Sequence, residues 1–338
     1  MKEKKGVLVI LILCLALACT LSMVVGRYPI QPREMAALFL EKFTGRMSGV
    51  DDVTRMIFWE TRLPRMIAAV LIGSALSVSG ASYQGIMRNP MVAPDILGAS
   101  SGASFGAALG ILLEFHAAAV QILAFAGGLT AVGIAFFVSH SLKGNDRGGI
   151  LMLVLSGMVI TALFSAGISA IKYMGDPYDT LPAITFWLMG GLTYVAKKDI
   201  WALLVPFLLG TIPLMLMRWK MNILCFSDEE AGTMGIHAGR MRAVVILCAT
   251  LLTCSSVAIG GMIGWVGLII PHICRMLVGP DYKRLLPVTL VAGGLFLVLV
   301  DDAARCICAQ ELPLGILTAI IGAPAFLVQL YRGRRSFV

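Results

Sequence analysis

The chain has 338 residues, of which 58% are hydrophobic and 14% charged, with a formal net charge of +8 and a mean hydropathy of +0.89. Soluble globular proteins carry about 25% charged residues, so this composition excludes a soluble globular fold. The basic balance does not signal nucleic acid, because the charges fall between long apolar runs, with no aromatic-basic patch and no zinc-finger spacing.

Lys2, Lys4 and Lys5 precede an apolar run over 7–25 that is nearly long enough to span a bilayer. A signal peptide shares that start, but no small-x-small cleavage site follows, so the run reads as a retained first span with its N-terminus inside. Residues 27–61 form the longest polar connection. Within them Ala36, Leu38, Phe39 and Phe43 suggest an amphipathic helix lying at the outer surface. A second span is predicted over 64–87, a turn at Arg88-Asn89-Pro90, and a third span over 93–113. Proline disfavours helix in the residue before it, which places the break at Asn89. The Gly, Ala and Ser residues of 62–106 let helix backbones approach closely where lipid supplies no hydrophobic drive.

A fourth span is predicted over 117–140, a polar turn over 141–148 and a fifth span over 150–171. Residues 172–199 are mixed, and the apolar piece at 186–192 is too short to cross, so it reads as a re-entrant or surface helix. A sixth span over 200–217 leads into a polar loop, 218–242. Residues 243–274 carry no formal charge and exceed one untilted span. A split near Gly260 gives a seventh span and a short, glycine-rich eighth. After a loop at 280–287, a ninth span covers 288–300, Asp301, Asp302, Arg305 and Glu311 mark an outer turn, and a tenth covers 314–330. The expectation is an all-α integral membrane protein of about ten spans, one domain over 1–338, with both ends cytoplasmic. The surplus of Lys and Arg in the short inner loops agrees with that orientation.

The eight cysteines form no CxxC pair and lie mostly in apolar runs, where cysteine acts as a small hydrophobe; Cys306 and Cys308 are the one pair to watch. His116, His140, His237 and His272 are scattered, so no metal site is expected. The chain has no Gly-x-x-x-x-Gly-Lys-Ser/Thr loop, nucleophile elbow or paired-glutamate site, and hence no catalytic residue. Asp95, Asp301 and Asp302 fall near span ends and read as snorkelling or paired groups. A channel or transporter remains; an ion-coupled secondary transporter and a non-transporting membrane scaffold are the alternatives.

Four stretches carry a resemblance: Arg62-Leu-Pro-Arg65, the run GSALSVSGASYQGIMRNPMVAPDILGASSGA, GMIGWVGLIIPHICR at 261–275, and LPLGILTAIIGAPAFLVQL at 312–330. In this order they resemble the membrane-spanning permeases of ATP-driven importers for iron-siderophores, haem and cobalamin, the type II importers. The resemblance implies ten helices per subunit, a second permease subunit (a homodimer first), two cytoplasmic ATPases carrying ATP-Mg, and an outer substrate-binding protein. No cofactor is implied for this chain itself. Ferric siderophore is the first expectation for the cargo, then haem or cobalamin.

By the same resemblance Arg62, Arg65 and Arg305 are outer arginines that pair with acids of the binding protein; as residues alone they could equally anchor helix ends at the headgroups. Asn89, Pro90 and Met91 fall on the cytoplasmic gate. Ser227, Asp228, Glu229, Glu230, Ala231, Gly232, Met234 and Gly235 resemble the coupling helix that seats in the ATPase, and otherwise read as a solvated loop. Pore-lining candidates are Ser79, Tyr83, Gln84, Ser100, Ser101 and Ser165, with ordinary bundle packing as their alternative.

Overall fold

The computed structural model describes residues 3–45, 49–141, 149–226, 228–308 and 310–333. The turn at 142–148, Ser227, Arg334 and Arg335 therefore lie outside the described residues, as does the side chain of Asp228. The described residues fold into helices and connections, with no strand among them. In order these are α1 (Glu3–Val24), α2 (Pro32–Thr44), α3 (Asp52–Met56), a wide π-helical turn (Ile57–Arg62), α4 (Leu63–Ile86), α5 (Ala99–Leu112), α6 (Ala117–Ser141) and α7 (Gly149–Met174). Then come α8 (Thr180–Met189), α9 (Lys197–Met221), α10 (Asp228–Thr233), α11 (Ala238–Gly260), α12 (Val266–Val278), α13 (Tyr282–Cys306) and α14 (Leu314–Gly333).

Among the described residues seven helices are long and apolar enough to cross a membrane: α1, the continuous unit Asp52–Ile86, α6, α7, α9, α11 and α13. The shorter apolar helices α5, α12 and α14 occupy the remaining predicted spans, while α8 is the short piece between the fifth and sixth. Of the boundaries that differ from expectation, those of the third and ninth spans bear on the candidate site residues. The third span begins only at Ala99, leaving 87–98 as a non-helical segment. The ninth is a 25-residue helix running from Tyr282 to Cys306, so Asp301, Asp302 and Arg305 sit inside its last turns rather than in a loop.

The bundle is built around α4. Every residue of it from Ile72 to Ile86 is buried, against α9, α11, α12 and α13. Missing side chains make this possible. A Cβ on Gly73 would lie 2.2 Å from the Gly293 carbonyl oxygen of α13, and one on Gly80 only 1.8 Å from that of Gly267 in α12. Lipid cannot drive helices together, so such backbone contact supplies the packing energy through dispersion. By contrast α7 turns Leu151, Leu155, Met158, Val159 and Leu163 outward, and α1 does the same with Ile10, Leu13 and Leu17. Apolar faces of this kind suit lipid or a second subunit.

Outside the spans, α2 lies across Phe58 and Trp59, with Phe39 meeting both rings edge-on. Asp51 caps α3 by accepting from the Thr54 backbone N–H at 3.1 Å, and its hydrogen bonds with Thr54 hold its carboxyl below the ordinary aspartate range. Where one amphipathic helix is expected within 27–61, the chain forms two, α2 and α3.

Candidate functional site

The two ends of α4, a helix of 24 residues and so about 35 Å long at 1.5 Å per residue, carry the polar groups of interest. At its first turn Arg65 reaches Asp301 of α13 in a two-pronged contact, Nε to Oδ2 at 3.0 Å and Nη2 to Oδ1 at 2.9 Å. Its Nη1 donates to Glu311 at 2.9 Å, on the connection between α13 and α14. The Glu311 carboxylate also accepts from the Thr193 hydroxyl at 2.7 Å. Arg305 pairs with Asp302, lies 3.3 Å from Asp301, and donates to Ser22 of α1 at 2.7 Å. Arg62 donates to the carbonyls of Met23 and Tyr28.

These arginines are not exposed forks. Arg62 and Arg65 are each 5% exposed and Arg305 is 7% exposed, which corrects the expectation that they project from the surface. The cause is the close crossing of α4 and α13 at Gly73 and Gly293: Arg65 and Asp301 lie about two turns beyond it on each helix and meet face to face. A buried guanidinium has to be partnered: carboxylates of the same chain serve Arg65 and Arg305, and backbone carbonyls serve Arg62. Burial pushes the Glu311 carboxyl up, but the Thr193 hydroxyl and then the Arg65 and Arg27 charges outweigh it and hold the group below the ordinary glutamate range.

At the other end of α4 the turn Asn89, Pro90, Met91 is exposed. The Asn89 side-chain oxygen accepts from the Met91 backbone N–H at 2.9 Å, closing a tight Asx turn. Arg88, which adopts a positive φ of 50°, donates through Nε to the Leu224 carbonyl at 3.1 Å and through Nη2 to that of Phe226. Those carbonyls belong to the stretch leading into α10, so one arginine ties the turn at Asn89–Met91, the gate candidate, to the coupling candidates. The sequence reading missed this residue; its only local signal is a cation placed directly before the Asn-Pro break. Asn222 was missed as well. It accepts from the Tyr282 backbone N–H at 2.9 Å and donates to Asp281 at 2.8 Å, joining the end of α9 to the start of α13.

The coupling candidates divide by burial. Ala231 is fully buried and pins α10, whereas Glu229, Glu230, Gly232, Met234 and Gly235 are exposed. Gly235 reverses the chain with a φ of 75°, which only glycine adopts at no steric cost. A depression of about 330 Å³ follows, lined by Gly232, Ile236, His237, Ala238, Gly239 and Arg240.

The six pore candidates are not brought together. Ser79 donates to the Ala249 carbonyl at 2.9 Å and sits 2.8 Å from the Thr253 hydroxyl, and Tyr83 bonds Thr250 at 2.8 Å. Gln84 Nε2 donates to the Val92 carbonyl at 3.2 Å and the Leu268 carbonyl at 3.3 Å. All three are buried glue between α4 and its neighbours, so within this chain they line no opening. Small polar residues at period-3.6 spacing look the same whether they face a helix or a pore. Ser100 and Ser101 are half-buried at the start of α5, and Ser165 is exposed on α7.

Residues 13–332 match the FecCD transport family. The chain belongs to that family. It is 38% identical to the molybdate import system permease of Haemophilus influenzae, over 96% of this chain and 95% of that one. It is 40% identical to a probable iron chelatin transport system permease of Helicobacter pylori, over 82% and 83%. Its fold matches a metal-chelate type ABC transporter solved in an inward-facing conformation, with a TM-score of 0.87 and 36% identity over 97% of this chain and 99% of the other. This FecCD permease is therefore an ABC importer permease with the type II fold, a multi-pass protein of the prokaryotic cytoplasmic membrane.

Proposed function

We propose that this permease passes an iron chelate, a ferric siderophore first, across the membrane by alternating access, paired with a second copy of itself and driven by two cytoplasmic ATPases that hold the ATP-Mg. A substrate-binding protein delivers the cargo at the Arg65 end of α4. The observation that carries this reading is the tie between the gate turn and the approach to α10: Arg88 joins the two through the Leu224 and Phe226 carbonyls. A displacement of α10 by a closing ATPase would be passed directly to Asn89, Pro90 and Met91. The exposed glycine break at Gly232 and Gly235 suits α10 to a groove in such a partner. Switching then needs two packings of nearly equal energy, biased from both ends.

The similarity to an iron chelatin permease and the fold match to a metal-chelate type transporter support a chelate as cargo. A second reading, molybdate, is favoured by the 38% identity to a molybdate permease over nearly the whole chain. The two are separated by uptake in vesicles reconstituted with the ATPase and the cognate binding protein. A chelate importer accumulates labelled ferric chelate in an ATP-dependent manner and ignores molybdate. Uptake of molybdate alone overturns the chelate assignment, and ATP-independent uptake overturns the reading altogether.

A further inference from the structure

The outward face of α9 is an apolar stripe that ends on a group of cations. Val205, Leu208, Leu209, Ile212 and Leu216 are all exposed and recur at three- and four-residue spacing, so they share one side of the helix. Trp201 and Trp219, both exposed, stand on the same side at its two ends. They are about five turns apart, or about 27 Å at 1.5 Å per residue, close to the thickness of a bilayer's hydrocarbon core. Tryptophan favours the boundary between acyl chains and headgroups. Two of them at this separation mark the stripe as a face against lipid, with Trp219 at headgroup level on the cytoplasmic side.

Beside Trp219 are Arg218 and Lys220 in the last turn of α9, and across from it Lys283 and Arg284 at the start of α13; all four are exposed. The two helix ends are fixed to each other, because Asn222 accepts from the Tyr282 backbone N–H and donates to Asp281. Lys283 Nζ lies 5.8 Å from the centre of the Trp219 ring, a cation–π contact across that joint. Among the described residues none of the four cations forms an ion pair. Asp281 is the acid that feels Lys283 and Arg284. Its carboxylate is already held by the Asn222 side chain at 2.8 Å and the Lys283 backbone N–H at 3.0 Å. Four cations against one engaged carboxylate leave this corner positive.

We infer that this corner binds an anionic phospholipid of the inner leaflet, with its headgroup phosphate among Lys220, Lys283 and Arg284 and its acyl chains along the α9 stripe. The two features select a lipid only in combination. The cations alone would suit any anion, and the stripe alone any apolar partner; a phosphate joined to acyl chains satisfies both at once. The inference holds whichever cargo the permease carries. A lipid seated here braces the joint at Asn222, immediately before Leu224 and Phe226, whose carbonyls Arg88 grips.

The test titrates phosphatidylglycerol and phosphatidylcholine into the delipidated full transporter and counts bound lipid by native mass spectrometry. At about fivefold for each of three cations, phosphatidylglycerol should bind about a hundredfold tighter than phosphatidylcholine. Combining Lys220→Gln, Lys283→Gln and Arg284→Gln should erase that preference and leave phosphatidylcholine binding unchanged. Lys197→Gln with Lys198→Gln, at the outer end of the same helix, should leave the preference intact. If the triple variant does not fold or loses its ATPase, Lys220→Gln and Lys283→Gln are measured singly, and each should weaken phosphatidylglycerol about fivefold. Equal affinity for the two lipids, or a preference that survives these substitutions, overturns the site. Displacement of the lipid by an equal concentration of free glycerol phosphate overturns it too, since acyl contact would then contribute nothing. Cross-linking of Trp219→Cys to the same position of a second copy would put a subunit on the stripe in place of lipid.

Discussion

Arg65 shows how a residue type can be legible while its environment is not. Its guanidinium has a side chain only 7% exposed and shares the 2% exposed carboxylate of Asp301. Breaking such a pair from one side strands a buried charge, at a cost of about 3–5 kcal/mol. Arg65→Ala is therefore expected to lower the thermal midpoint of the purified permease sharply, and Arg65→Ala with Asp301→Leu to recover most of the loss. Equal melting of both variants would show that the pair contributes little. Glu311 supplies a pH signature. Its carboxyl is held below the ordinary range in the folded chain, so its stabilising contribution is complete above that range and is lost as pH falls through the depressed folded value. Protection against hydrogen exchange at Leu312 and Leu314, relative to their intrinsic rates, should fall as the pH drops below the ordinary glutamate range, since their amides donate to Ala304 and Gly190 on the connection Glu311 holds. In Glu311→Gln the same amides should show no such step.

At the scale of elements, the close crossings of α4 are its most vulnerable points. The position a Cβ would take at Gly80 is 1.8 Å from a backbone oxygen of α12, which no rotamer change relieves. Gly80→Ala should thus cost about 1–3 kcal/mol or more, visible as reduced yield and a lower melting temperature. Gly133, which has open space around it, is the control and should tolerate alanine. The turn at Asn89–Met91 and the approach to α10, joined by Arg88, form the second linked pair of elements. Arg88→Ala removes the tie to Leu224 and Phe226 without touching the core. The expected outcome is transport reduced at least tenfold with ATP hydrolysis by the assembled complex retained; parallel loss of both would place Arg88 in assembly instead. How much of these elements could be read beforehand follows from physics. The spans were visible because a bilayer requires every buried backbone group to be satisfied within a helix, which imposes length and apolarity on each segment. The late start of α5 and the extension of α13 to Cys306 were not visible, because close contacts and ion pairs override hydropathy at helix ends.

On the scale of the whole molecule, one question is which outward face meets lipid and which meets another copy. If Ser165, exposed on α7, is pore-lining as the resemblance implies, the α7 face that carries it turns toward the axis of the proposed dimer. Ser165→Cys, in a background without the surface cysteines Cys14, Cys225, Cys306 and Cys308, should cross-link two copies through a short bifunctional thiol reagent in native membranes. Labelling of that cysteine by a lipid-soluble maleimide with no cross-link would place α7 against lipid and move the axis to another face.

The sequence by itself determined the class of molecule, the number and order of spans, and the position of the break at Arg88-Asn89-Pro90, since these depend on composition, run length and local chain stiffness. Tertiary structure alone decided which polar residues are free. Arg65 and Asp301 are 236 residues apart in the chain, and only the glycine-mediated crossing of α4 and α13 brings them into one buried pair. The same packing turned Ser79, Tyr83 and Gln84 inward as interhelical glue. A charge or hydroxyl in a membrane helix has to find a partner. Whether that partner is water, cargo, a docked protein or another helix of the same chain depends on distances that no local pattern contains.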